Sequence, residues 1–139
     1  MIIGDMKKEK RGNGLEENTR KCGAEKEGLA AEYLAVRGVK ILCRNFRCRQ
    51  GEIDLIGRDG EYLVFFEVKY RGGDRFDDPL SAVGVAKQRR ICRVADYYRL
   101  VKSIASDTPV RYDVVGITRD EVIWIKNAFP HRYAGRQTS

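Results

Sequence analysis

Histidine is nearly missing from this chain: His131, close to the end, is the one histidine in 139 residues. Chemistry that needs a histidine base or a histidine metal cluster is therefore poorly supported. Any general base or metal ligand has to come from carboxylates and lysine. The four cysteines, Cys22, Cys43, Cys48 and Cys92, include no C-x-x-C pair. That argues against a zinc knuckle and for free thiols in a reducing cytoplasm. No apolar run approaches the ~20 residues that span a bilayer, so no membrane segment is expected. The opening MIIGDMKKEKRGNG carries no apolar stretch behind its basic cluster, and no secretory signal is expected either. A cytoplasmic location is the resulting expectation.

What the chain does have is enough apolar sequence for one core. Its 15.9 kDa suits a single domain, with 42% hydrophobic residues against 34% charged. Lys+Arg 27 against Asp+Glu 20 leaves a net charge of +7, which favours a polyanionic partner but by itself says nothing about catalysis. Residues 1–22 are rich in charge, lack a sustained apolar period and read as a tail. Residues 23–129 read as one domain, and 130–139 as a loose end. Helical spacing of Glu27, Ala30, Ala31 and Leu34 predicts a helix over 24–37, stopped by Gly38. Strands are expected at 39–47, 52–57 and 62–70, then a helix over 79–101 and strands at 110–117 and 122–127. The order αβββαββ describes an α/β domain, a central mixed sheet with flanking helices.

The informative stretch is GEIDLIGRDGEYLVFFEVKYR, residues 51–71. Asp59-Gly60 is a hairpin signal. A two-residue loop there sets Arg58 opposite Glu61 and Asp54 opposite Phe65, leaving Glu67 as the diagonal neighbour of Asp54. Such neighbours lie about 7–8 Å apart. Lys69 shares the face of Glu67, because side chains alternate along a strand. Asp54, Glu67 and Lys69 are therefore expected on one sheet surface, in an apolar strand where carboxylates need a counter-charge. A buried ion pair of Lys69 with either acid would satisfy one of them and leave the other unexplained. Mg2+, or Mn2+, would satisfy both, since hard ions prefer carboxylate oxygen and retained water. Lys69 beside such an ion could orient or help deprotonate a water, or neutralise developing charge on a phosphodiester. Glu27 joins this group if its helix turns it inward, and the Val68 carbonyl is a further ligand if the local twist allows.

Glu27, Gly51-Glu52-Ile53-Asp54 and Glu67-Val68-Lys69 together resemble the D…E-x-K signature of the restriction-endonuclease-like nuclease fold. The chain as a whole is similar to the bacterial YraN-type family and, more distantly, to archaeal Holliday-junction resolvases. The most specific matches are RNFRCRQGEIDLI at 44–56, VFFEVKYR at 64–71 and RYDVV at 111–115. The resemblance implies a restriction-endonuclease-like fold, with Asp54 and Glu67 as metal ligands, Lys69 as the catalytic lysine and Glu27 as the first-helix glutamate near the metal. It departs at Lys26 and at Asp77, where the family usually has glycine.

The positive charge is clustered. Residues 37–49 hold five bases and no acid, and residues 69–93 hold seven bases against three acids. Arg44, Arg47, Arg49, Arg71 and Arg90 are candidates to grip backbone phosphates without reading bases. Lys87 interrupts the apolar stripe Ile91, Val94, Tyr98, Val101. It either reaches a phosphate from the metal-bearing face or packs its stem with the ammonium in water. Arg111 and Asp113 are expected to pair, and His131 has no evident partner. The leading expectation is an Mg2+-dependent endonuclease acting on DNA, branched or structured DNA included. The alternative is a non-catalytic module on the same scaffold that binds nucleic acid or recruits a partner. A homodimer is expected only if paired cuts are made.

Overall fold

Leu63, Val64, Phe65 and Phe66 are consecutive and all fully buried, which requires a strand covered on both faces. That strand, β3 (Tyr62–Tyr70), is the middle of a five-stranded sheet whose strands lie side by side in chain order. The computed structural model describes residues 15–72 and 83–135. Its elements are α1 (Leu15–Val36), β1 (Lys40–Cys48), β2 (Gly51–Asp59), β3, α2 (Val85–Val101), β4 (Val110–Ile117) and β5 (Val122–Phe129). This is the expected αβββαββ order. β3 runs antiparallel to β2 and parallel to β4, and β5 is antiparallel to β4. A parallel neighbour cannot be reached by a tight turn, and α2 lies within the required crossover.

The helices cover opposite faces. Ala30 and Leu34 of α1 pack on Leu55, Val64, Phe66, Val115 and Ile117. Ile91, Cys92, Val94, Ala95 and Tyr98 of α2 pack on Ile53, Phe65, Tyr112 and Val114. In α1 the buried positions Lys26, Ala30 and Leu34 recur every four residues. Gly38, at φ 98, ends the helix as expected: the Val39 amide turns back to the Leu34 carbonyl at 3.0 Å. The helix begins at Leu15, earlier than the expected start near residue 24, so part of the stretch read as a tail is helical. The second helix begins at Val85 rather than 79. Residues 1–14, Asp77 and the other residues of 73–82, and 136–139 lie outside the described residues.

The hairpin differs by one step from its expected form. Asp59 pairs with Tyr62, so the turn is Gly60-Glu61, with Gly60 at φ 66. Asp59 stays in the strand because its carboxylate receives the Arg111 guanidinium at 2.7 Å. Arg111 also pairs with Asp113 at 2.9 Å, the expected contact. Asp113 is fully buried and satisfied: it accepts Trp124 Nε1 at 2.9 Å and the Asn127 amide at 2.9 Å across a bulge between β4 and β5. Cys43, Cys48 and Cys92 are free thiols, as expected. No helix among the described residues is long and apolar enough to cross a membrane.

Candidate functional site

The corrected turn moves the two acids closer in register. The paired residues run from Asp59↔Tyr62 to Leu55↔Phe66, where the ladder stops. One further step in that register sets Asp54 opposite Glu67, not opposite Phe65. At this point an Asp54 side-chain oxygen replaces the ladder: the Val68 amide donates to Asp54 Oδ2 at 2.8 Å. A carboxylate is thereby fixed in the notch where β2 ends its pairing with β3. The contribution of Val68 that the geometry shows is its N–H; its carbonyl as a ligand stays an expectation.

Glu67 is 6% exposed, deep in the apolar middle strand. Two ammonium groups meet its Oε2: Lys87 Nζ at 2.8 Å and Lys69 Nζ at 3.6 Å. Lys69 comes from the same strand face, as alternation requires. Lys87 comes from the first turn of α2 and lies on the carboxylate side of the sheet. The contact with Glu67 turns the Lys87 ammonium toward the carboxylates; a contact with phosphate stays an expectation. Burial alone would lower the Lys87 pKa, but the hydrogen bond and charge of Glu67, helped by Asp54, outweigh it and hold the ammonium above its ordinary value.

Asp54 is differently placed. Burial, and then the charge of Glu67, raise its pKa to about 8; the Val68 N–H opposes this, and Glu27 and Glu52 add to the rise. The two acids thus form a pair in which Glu67 holds two cations and Asp54 holds a single backbone donor. Glu27 acts on Asp54 through space from half-buried α1. Among the described residues, no group of three or more His, Cys, Asp or Glu side chains converges tightly enough to enclose a metal ion. The donor set is therefore two hard carboxylates facing a notch. That fits Mg2+ or Mn2+, which take one or two carboxylates and complete their shell with water and substrate oxygens. It does not fit a closed site with all ligands from protein.

The arginines read as phosphate contacts differ in their surroundings. Arg44, Arg47, Arg49, Arg71 and Arg90 are all exposed. Arg47 is tied to Glu52 at 2.9 Å across the β1–β2 pair, and the Arg44 guanidinium lies against α1 at Gly28. Two features escaped the sequence. Lys26 is 8% exposed, with its ammonium 3.6 Å from the centre of the Tyr70 ring, just past Lys69. His131 does have partners: Tyr112 Oη at 2.7 Å from Nδ1 and Asp96 Oδ1 at 3.4 Å from Nε2. Neither pairing has a local signal, because each joins elements far apart in sequence.

Comparison with known proteins gives a consistent result. Residues 26–117 match the uncharacterised protein family UPF0102. A UPF0102 protein of Lachnoclostridium phytofermentans is 50% identical over 107 residues, covering 77% of this chain and 91% of the relative. One from Marinobacter nauticus is 46% identical over 117 residues, covering 81% and 94%. One from Coxiella burnetii is 41% identical over 116 residues, covering 83% and 97%. The matched span includes Glu27, Asp54, Glu67, Lys69 and Lys87.

Proposed function

The chain belongs to the uncharacterised protein family UPF0102, and from that premise we propose that it is a divalent-metal-dependent endonuclease that hydrolyses phosphodiester bonds in DNA, with branched or otherwise structured DNA among its substrates. The observation that carries this reading is the convergence of Asp54 and Glu67 at the end of the β2–β3 ladder, where burial and the charge of Glu67 raise the Asp54 pKa to about 8. Asp54 and Glu67 would hold Mg2+ or Mn2+, and the ion would polarise a non-bridging phosphate oxygen.

The chain's own groups supply the remainder. Lys69 stands on β3 opposite Gly116 of β4, past the end of the β2 pairing, and its ammonium lies 3.6 Å from Glu67 Oε2, suited to orient the attacking water and to offset charge gathering on the phosphate. Attack forms an oxygen–phosphorus bond from water, which releases a proton to solvent, and breaks the bond to the leaving sugar oxygen, which takes up a proton from solvent. Exposed Arg44, Arg49, Arg71 and Arg90 would grip neighbouring phosphates, leaving base sequence unread. Arg47 contributes less while Glu52 neutralises it.

One observation favours a second reading, a nucleic-acid-binding module without turnover: Glu67 already has two ammonium groups, as a purely structural ion cluster would. A panel of linear, flapped and four-way DNA substrates with Mg2+ and Mn2+ separates the two. Cleavage of at least one substrate by the wild type, abolished in Asp54→Ala and Glu67→Ala while DNA binding persists, is the expected outcome. Equal cleavage by all three proteins, or none by any, would overturn the nuclease reading.

A further inference from the structure

A divalent cation between Asp54 and Glu67 and the ammonium of Lys87 require the same carboxylate. Lys87 Nζ is the nearer of the two ammonium groups on Glu67 Oε2, at 2.8 Å against 3.6 Å for Lys69. The lysines also differ in freedom. Lys69 stands on the middle strand, with its side chain 28% exposed. Lys87 reaches in from another element, and its side chain is 36% exposed. A dication and an ammonium repel strongly at such separations, and the burial of Glu67 weakens solvent screening between them.

The backbone under Lys87 is pinned. The next residue, Gln88, donates from Nε2 to the Val83 carbonyl at 2.9 Å and accepts Arg132 Nε at 2.8 Å. The Arg132 amide reaches Cys92 Sγ at 3.3 Å. These contacts clasp the start of α2 against the segment that follows β5. Any response of Lys87 to a competing cation is therefore a swing of its four-carbon side chain, not a shift of the helix.

We propose that Lys87 is an exchangeable counter-ion: it neutralises Glu67 until a divalent cation takes the carboxylate, and the released ammonium then binds a phosphate of the DNA backbone. This rests on the metal-dependent reading given above and adds a coupling to it. Metal uptake frees a cation for the substrate, and a phosphate that draws Lys87 away clears Glu67 for the metal. Linkage makes the two effects equal in size. Lys69, held on its strand, stays at the carboxylate throughout. Divalent metal is then part of DNA capture as well as of hydrolysis.

The test titrates Mn2+ into wild type, Lys87→Met and Lys87→Arg without DNA, following free Mn2+ by electron paramagnetic resonance. Affinity for a labelled DNA duplex is then measured in Ca2+ and in EDTA. Lys87→Met is expected to bind Mn2+ about tenfold tighter than wild type, with Lys87→Arg close to wild type. Ca2+ should raise DNA affinity roughly tenfold more in wild type than in Lys87→Met. Equal Mn2+ affinity in wild type and Lys87→Met overturns the exchange and leaves the nuclease reading standing. A wild type that takes up no Mn2+ overturns both. Should Lys87→Met fail to fold, the 15N resonance of the Lys87 ammonium in the wild type decides: it must move on addition of Mg2+, and an unmoved signal overturns the exchange.

Discussion

Asp54 is costly to ionise in the folded chain. Burial and the charge of Glu67 raise its pKa from 3.8 to about 8. Between those values the folded chain binds a proton that the unfolded chain has released, so stability is fullest below about pH 4 and falls as pH rises through 8. Asp54→Asn removes the charge and keeps an oxygen for the Val68 amide. It should therefore be more stable than wild type at pH 8, by on the order of 2 kcal/mol, with the difference vanishing below about pH 4. Urea unfolding of both proteins at pH 4, 6 and 8 measures this; parallel curves at every pH would show that Asp54 is not held against its ordinary ionisation. Under the proposed function, metal capture and stability would be opposed at this residue, a common condition of binding sites whose groups are kept from their preferred state.

Strand β2 shows how an element can be set by one small residue. Gly57 lies opposite Ile41, next to the register shift between Ile41 and Cys43. A Cβ built there would sit 2.8 Å from Val39 Cγ1 and 2.9 Å from the Lys40 carbonyl. The second of these is backbone and cannot turn away. Gly57→Ala should therefore push β1 off β2 and cost about 2 kcal/mol, with an unchanged denaturant slope and a lower urea midpoint. An unshifted midpoint would mean that β1 yields freely. The same strand carries Asp54 three residues earlier, so loosened β1–β2 pairing also threatens the notch.

At the scale of the whole molecule, the net charge of +7 includes the exposed Arg49 and Arg90. If Arg49 and Arg90 each neutralise one phosphate, replacing both with alanine should reduce the slope of log affinity against log salt by about 2, without changing preference among DNA sequences. Fluorescence anisotropy over a salt series measures this, and an unchanged slope would place the DNA elsewhere. Much of the molecule was legible beforehand. Apolar period gave both helices, the run LVFFEV gave a buried middle strand, Gly38 gave the helix stop, and alternation put Asp54, Glu67 and Lys69 on one face. These are local properties, decided by backbone geometry within a few residues. The turn at Gly60-Glu61 was misplaced by one step because Asp59 is kept in its strand by Arg111, distant in sequence but adjacent in space. Likewise, only folding could decide that Lys87 spans from α2 to Glu67, that Val68 donates to Asp54, and that His131 closes on Tyr112. Each contact depends on how separate elements dock, and docking is set by the two cores they bury together, not by the residues beside them in the chain.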